Sequence, residues 1–227
     1  TENIVIRNCR GLRGHGGIVI GSETSGSIRN VYAENCQFKG TDRIVRIKTA
    51  RGRGGVIENM WFKNLTGEDI LLEAIHLNML YTGKRLPAQL VSNTTPSIRN
   101  IHFENIKCLS GKGYMIELLG LPEMLIEDIW FDGIDAKTAK GINISDVRGI
   151  HFKNSNFSAM TVPLFTITDG QNISVDSVKF YGVVEQFLRI EGGNSNNIKI
   201  SKSNIPSTDK SVLFGTDVSK QAVIIKE

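Results

Sequence analysis

The chain has 227 residues, enough for one large domain or two small ones and for a sizeable hydrophobic core. Hydrophobic residues make up 40% and charged residues 22%, a balance typical of soluble globular proteins, and no apolar run approaches the roughly 20 residues that a membrane span needs. The 27 basic and 23 acidic residues leave a net charge of +4, which is too small to indicate nucleic acid as a partner.

A seven-residue strand motif recurs eight times along the chain and is the strongest signal in the sequence. Its copies are NIVIRNC from Asn3, NVYAENC from Asn30, NMWFKNL from Asn59, NIHFENI from Asn100, DIWFDGI from Asp128, GIHFKNS from Gly149, NISVDSV from Asn172 and NIKISKS from Asn197. Shorter strands lie between them: GIVIGS, IVRIKT, AIHLNM, MIELLG, GINISD, LFTITD, FLRIEG and SVLFGT. The repeat predicts about eight coils with two clear strands each.

Side chains alternate with a period of two in these segments, which is typical of strands with one buried face. The segment Glu68–Leu80 also fits a helical stripe, but Ala74–Met79 lies at the strand position of its coil, which favours a strand. One inward column is aromatic and contains Phe62, Phe103, Phe131 and Phe152. Short coils of parallel strands without helical crossovers predict an all-β fold, a right-handed parallel β-helix that forms a single domain over residues 1–227.

Asparagine recurs just after the first strand of successive coils, at Asn8, Asn35, Asn64, Asn105 and Asn154. Asparagine tolerates the left-handed backbone of a tight corner and can hydrogen-bond to its copy one coil away. Cys9 and Cys36 occupy the next position, and we interpret them as a small buried stack. The three cysteines cannot form a fully paired disulfide framework, and none has a CxxC spacing.

A polar face is predicted along the second strands of the first three coils. The glycine-flanked segment Gly14-His15-Gly16-Gly17 leads into the first of these strands. Arg46 and Lys48 share the outward side of the second strand, and His76 and Asn78 share that of the third. Because the coils stack, these polar groups should converge along one groove.

The second coil is strongly basic. Residues 41–53 hold five basic side chains against the single Asp42, which we expect to pair with the neighbouring arginines. Such a surface attracts a ligand that carries carboxylate or phosphate groups. The alternative interpretation is a solvated strand face, which is the usual role of charges on strands. His102 and His151 lie on the other, charged face and are interpreted as structural or solvated.

These residues resemble the polygalacturonases of glycoside hydrolase family 28, which hydrolyse pectin on a right-handed parallel β-helix. The matching motifs are Gly14-His15-Gly16, Ile20-Gly21-Ser22 and Arg46-Ile47-Lys48. The segment Asn78-Met79-Leu80-Tyr81 is similar to the place where the family has a substrate-contacting tyrosine, and Gly120-Leu121-Pro122-Glu123 is similar to a segment of bacterial members. The resemblance covers essentially the whole chain and implies a pectin-lyase-like solenoid.

The resemblance also implies roles for four residues. His15 would tune a catalytic carboxyl group, Arg46 and Lys48 would hold a galacturonate carboxylate beside the scissile bond, and Tyr81 would line the sugar site. The family's catalytic carboxylates belong to two upstream motifs, Asn-Thr-Asp and a pair of adjacent aspartates, and neither motif occurs here. Because Thr1 stands directly ahead of a strand, we expect this chain to be the C-terminal part of a longer β-helix. We expect it to supply the substrate-binding half of an inverting site and to be inactive alone.

The expected partners are a pectic polysaccharide and upstream β-helix coils, in the same or a separate chain. No nucleic acid, membrane or cofactor is expected. No metal is expected either, since no His, Asp or Cys cluster has ligand spacing in the sequence. The resemblance implies an extracellular or periplasmic location.

Two other functions stay open: a non-catalytic β-helix that binds acidic polysaccharide or serves as a structural or adhesin rod, and a rhamnogalacturonan hydrolase. Upstream aspartate motifs at one-coil spacing would favour an enzyme, and the intact Arg46-Ile47-Lys48 favours galacturonate as substrate.

Overall fold

The strands of this chain stack coil upon coil. The structure is a computed structural model that describes residues 1–81, 84–182, 186–206 and 210–226. Its only helix in these ranges is the 3₁₀-helix Lys220–Ala222, and none of the described helical structure is long and apolar enough to cross a membrane. The strands are β1 (Glu2–Arg7), β2 (Arg10–Leu12), β3 (Ile18–Ile20), β4 (Ile28–Lys39), β5 (Val45–Lys48), β6 (Val56–Glu68), β7 (Ile75–Asn78), β8 (Ser97–Leu119), β9 (Ile126–Asp132), β10 (Asp135–Lys153), β11 (Asn156–Ala159), β12 (Phe165–Asp176), β13 (Lys179–Phe180), β14 (Leu188–Glu191), β15 (Asn196–Ser201), β16 (Val212–Phe214) and β17 (Val223–Lys226).

Each coil pairs with the next in parallel and in the predicted register. On the first face, Ile4 lies beside Val31, Val31 beside Met60, and Met60 beside Ile101. On the second face, β3 pairs with β5, β5 with β7, and β7 with the end of β8. The chain is therefore a parallel β-helix of about eight coils, as the repeat predicts. Strand β7 also confirms the strand interpretation of Ala74–Met79 over a helix.

A third paired face was not predicted. The strands β4, β6 and β8 continue past the asparagine corner, so that Gln37 lies beside Thr66 and Thr66 beside Lys107. A further strand, β17, pairs with β15 and extends the first face by one step. The longer strands arise because a corner residue with a left-handed backbone turns the chain without interrupting the ladder.

The core is the interior of the coils. The four phenylalanines of the aromatic column are fully buried, and neighbouring rings stack nearly parallel. Their centroids lie 5.0 Å apart for Phe62 and Phe103, 5.0 Å for Phe103 and Phe131, and 4.9 Å for Phe131 and Phe152. This spacing matches the separation of paired strands, about 4.7–4.9 Å, so each ring repeats on the next coil without a change of rotamer.

Asparagines occupy the corners as predicted. The backbone of Asn35, Asn64 and Asn105 is left-handed, with φ of 56°, 53° and 54°. The Asn64 amide donates to Asn35 Oδ1 at 3.1 Å, and the Asn105 amide donates to Asn64 Oδ1 at 3.2 Å. The buried cysteine stack is only half right: Cys36 is buried and Cys9 is exposed, because Cys9 lies on the first coil and has a described neighbour on one side only.

The outer side of the first face carries a stack of rings that includes both remaining histidines. His102 lies between Trp61 and Trp130 at centroid distances of 5.5 and 6.1 Å, and His151 stacks on Trp130 at 3.9 Å. Burial lowers the pKa of both histidines. Both are therefore packed side chains of the first face, in agreement with their structural interpretation.

Candidate functional site

Parallel register aligns the polar residues of the second face. Arg46 in β5 lies beside Val19 of β3 on one side and beside His76 of β7 on the other. Lys48 lies beside Asn78 in the same way. Residues in register on parallel strands point to the same side, so Arg46 and His76 share one face, as the sequence predicts.

Carboxylates from other coils neutralise three of the five basic residues in the segment 41–53. Arg43 is buried with Nη2 2.6 Å from Glu73 Oε2. Two nitrogens of Arg51 bind the two carboxylate oxygens of Glu123 at 2.6 and 2.7 Å, and Arg53 pairs with Glu23.

Arg46 and Lys48 are the two cations of this segment that have no carboxylate partner among the described residues. Nε of Arg46 is buried and makes no hydrogen bond there. Burial, together with the nearby charge of Arg43, lowers the pKa of Arg46. Lys48 is partly buried beside it. A partly desolvated guanidinium with a free donor is a strong binding group for a carboxylate.

His15 lies in the loop before β3 and is almost fully exposed, with 95% of its side chain accessible. Its Nδ1 is 3.1 Å from Oδ2 of Asp42. The expectation that Asp42 pairs with the surrounding arginines is therefore wrong: its described partner is His15, and Arg43 and Arg51 pair with glutamates of other coils. Asp42 thereby orients the imidazole and leaves Nε2 free to face a ligand.

Tyr81 follows β7 with a left-handed backbone, φ 54°, and its side chain is exposed. The guanidinium of Arg53 lies 5.5 Å from the centre of its ring. Oδ1 of Asn78 accepts hydrogen bonds from the backbone N–H groups of Leu80 at 2.6 Å and of Tyr81 at 3.1 Å. Asn78 therefore holds the turn that carries Tyr81 and does not point into an open groove, as its outward position had suggested.

His76 is buried, with 5% exposure, although it shares the face of Arg46. Its Nε2 lies 3.3 Å from Oε2 of Glu117, and its Nδ1 lies 3.7 Å from Oε2 of Glu73. Burial lowers the pKa of His76 to about 4 and raises the pKa of Glu117. Asn143 donates to Oε1 of Glu117 at 2.9 Å.

Sequence reasoning missed Glu117 as a member of this face. The available signal was its place in MIELLG, where it occupies the same outward position as Arg46 and His76 in the preceding strands. Glu73 carried no such signal, because it lies in the loop before β7 and outside the periodic pattern.

Comparison with known proteins gives a family match. The family described as glycosyl hydrolases family 28 matches residues 1–143 of the chain. An exo-poly-alpha-D-galacturonosidase of Dickeya chrysanthemi is 26% identical over 172 residues, which cover 70% of this chain and 27% of the relative. A probable polygalacturonase of Vitis vinifera is 33% identical over 67 residues, which cover 29% of this chain and 14% of the relative.

Solved structures of similar proteins are longer as well. A hyperthermoactive exopolygalacturonase from Thermotoga maritima is 29% identical with a TM-score of 0.49, over 66% of this chain and 30% of that chain. A family 28 exopolygalacturonase of Yersinia enterocolitica is 15% identical with a TM-score of 0.35, over 99% of this chain and 30% of that chain. The chain thus spans at most 30% of the length of any of these four relatives.

Proposed function

The chain belongs to the glycosyl hydrolases of family 28, and on that premise we propose that it supplies the substrate-binding half of a site that hydrolyses α-1,4-galacturonosyl linkages in pectin or polygalacturonate with inversion. The substrate is a chain of acidic sugars, so every unit that is not esterified presents one carboxylate. A binding half must therefore hold at least one carboxylate next to the bond that is cleaved.

Arg46 and Lys48 carry the proposal. Three of the five cations in their segment already have glutamate partners, whereas these two have none among the described residues, and Nε of Arg46 is buried without a hydrogen bond. The guanidinium of Arg46 is only partly buried, so a substrate carboxylate can reach its terminal nitrogens, although not the buried Nε. Arg46 provides the directional hydrogen bond and Lys48 the adjacent point charge.

His15 and Tyr81 flank these cations. His15 is exposed and held by Asp42 through Nδ1, so that its Nε2 is free to contact a catalytic carboxyl group and tune its proton affinity. Tyr81 offers an exposed ring and hydroxyl to the sugar that Arg46 anchors. Its contact with Arg53 keeps the ring on this side of the coil.

The catalytic acid and base belong, in this proposal, to further coils that pack on the first coil. Inverting glycosidases need two carboxyl groups about 6.5–9.5 Å apart. Asp42 is paired with His15. Glu73 and Glu117 have ligand atoms within 4.8 Å of each other and of His76, which is too close to admit a water molecule and a sugar between them. Neither carboxylate therefore suits the reaction, and the chain alone is inactive in this account.

The first coil offers a surface for such coils. Ile4 and Ile6 are only partly buried, whereas their column neighbours Val31 and Ala33 are fully buried. Leu12 on the same coil is exposed. We propose that a further β-helix coil, in the same chain or a separate one, covers this surface. We also propose an extracellular or periplasmic location, where pectic polymers are accessible.

The test is an assay of reducing-sugar release from polygalacturonate by the purified chain, with and without a polypeptide that supplies coils bearing an Asn-Thr-Asp motif and an adjacent aspartate pair. The proposal predicts turnover only for the combination. Clear turnover by the chain alone would overturn it, whether or not Asp42→Asn abolishes that turnover, because a catalytic acid would then lie within residues 1–227.

A further inference from the structure

Three side chains that can bind a metal ion meet beside Arg46, on the third and fourth coils. Glu73 precedes β7, His76 lies in β7, and Glu117 lies at the register-matched position of β8. One ligand atom from each residue lies within 4.8 Å of the other two. The β-helix brings them together although Glu73 and Glu117 are 44 residues apart in sequence.

The imidazole of His76 is buried with unmet hydrogen-bonding capacity. Its residue exposure is 5%, and neither Nδ1 nor Nε2 has a hydrogen-bond partner among the described residues. Oε2 of Glu73 also lacks a hydrogen bond of good geometry, although Arg43 lies 2.6 Å away. Buried polar groups are normally satisfied, so a buried imidazole between two carboxylates indicates a ligand that all three groups share.

The distances within this cluster suit coordination better than hydrogen bonding. Nε2 of His76 lies 3.3 Å from Oε2 of Glu117. Nδ1 lies 3.7 Å from Oε2 of Glu73 but points to another side of the ring, so one ion bonds to Nε2 or to Nδ1 and not to both. Charge-assisted hydrogen bonds are shorter, about 2.7–2.9 Å. Two ligands bonded at about 2.0–2.1 Å to one tetrahedral zinc ion lie about 3.3–3.4 Å apart, which is the separation of His76 and Glu117.

We propose that Glu73, His76 and Glu117 bind one divalent transition-metal ion of the zinc type. One imidazole nitrogen and one oxygen from each carboxylate supply three ligands, and a fourth position stays open for water or a ligand in the groove. Calcium and magnesium fit poorly, because they prefer six or more oxygen ligands and this cluster contributes two carboxylates and a nitrogen. The inference is independent of the proposed hydrolysis, because it concerns binding alone.

The surrounding charges limit the affinity. Arg43 already contacts Glu73, and Arg46 and Lys140 act on the same cluster as further cations. The ion must therefore compete with Arg43 for Glu73 and overcome repulsion from two other cations. In return it relieves the repulsion between Glu73 and Glu117 and satisfies the imidazole. These opposing contributions predict a site that Zn²⁺ fills at stoichiometric concentration when no chelator competes.

Isothermal titration calorimetry of the 227-residue chain with Zn²⁺ tests the proposal. The expected result is one ion per chain. His76→Ala and Glu117→Gln should each weaken Zn²⁺ binding by at least about 10–100-fold, because even the loss of a residue that only supports a ligand has an effect of that size. Glu117→Gln is the sharper variant, because its side-chain carbonyl can still accept the hydrogen bond from Asn143 and so preserve the fold. His102→Ala is the matched control, since His102 lies in the ring stack of the first face.

Substitution with Co²⁺ adds a structural readout, because a low-coordinate Co²⁺ site with one nitrogen and oxygen ligands gives a visible absorption band. The band should appear with the unmodified chain and with His102→Ala, and should be absent with Glu117→Gln. The proposal is wrong if Zn²⁺ does not bind, if Glu117→Gln and His76→Ala bind it as tightly as the unmodified chain, or if Mg²⁺ and Ca²⁺ bind equally well.

Discussion

Replacing Lys48 with alanine removes one of the two cations that the account assigns to a substrate carboxylate. Lys48 is partly buried beside Arg46 and has no ion pair among the described residues, so the substitution breaks no internal ion pair. A hydrogen bond to a charged group contributes about 1.5–3 kcal/mol. At about 1.4 kcal/mol per factor of ten, kcat/KM on polygalacturonate should fall by about 10- to 150-fold.

The assay measures kcat/KM for the chain combined with its catalytic coils, on polygalacturonate and on a methyl-esterified substrate. Esterification removes the negative charge, so the loss caused by Lys48→Ala should be much smaller on the ester. Lys63→Ala is the matched control, because Lys63 lies on the other face and pairs with Glu104 at 2.8 Å. Equal losses on both substrates would refute the carboxylate assignment.

Two further predictions concern the fold. Phe103→Ala removes a fully buried ring that stacks on Phe62 and Phe131 at 5.0 Å, and should lower the free energy of unfolding in urea by about 3–5 kcal/mol; a loss below about 1 kcal/mol would contradict the stacked core. Asn105→Asp keeps a residue that tolerates φ of 54° but places an oxygen where an N–H donates to Asn64, and should lower the free energy of unfolding by about 1–3 kcal/mol. An unchanged unfolding midpoint would show that the hydrogen bonds between stacked asparagines contribute nothing to stability.

The coil register was predictable because stacking repeats the same inward side chain at every step. The column from Ile4 through Val31, Met60 and Ile101 follows from alternation alone, and the structure pairs these residues as predicted. A one-residue slip would move every inward side chain to the outer face, so few alternatives compete with this register.

The ionic partners of the basic segment were not predictable in this way. Arg51 binds Glu123, which is 72 residues away in sequence, and Arg53 pairs with Glu23. These partners lie in loops that connect the strands, and loop paths leave no periodic signal in the sequence. The same reason explains why Asp42 was assigned to arginines although it contacts His15.

The burial of His76 is also not predictable from the sequence. Its outward position predicted a side chain in an open groove, yet it is 5% exposed and lies between Glu73 and Glu117. Alternation distinguishes the two sides of a strand, but whether a loop covers the outer side depends on tertiary packing. For that reason the sequence showed no cluster with metal-ligand spacing, whereas the folded chain assembles one.

A crystal structure of the chain with a bound oligogalacturonate tests the central claim most directly. We expect the oxygens of one substrate carboxylate to accept hydrogen bonds from the guanidinium of Arg46 and from Nζ of Lys48, at the usual distances of about 2.7–3.2 Å. Tyr81 should contact the same sugar unit. A carboxylate bound elsewhere, with Arg46 and Lys48 both facing solvent, would contradict the assignment of this face as the binding half of the site.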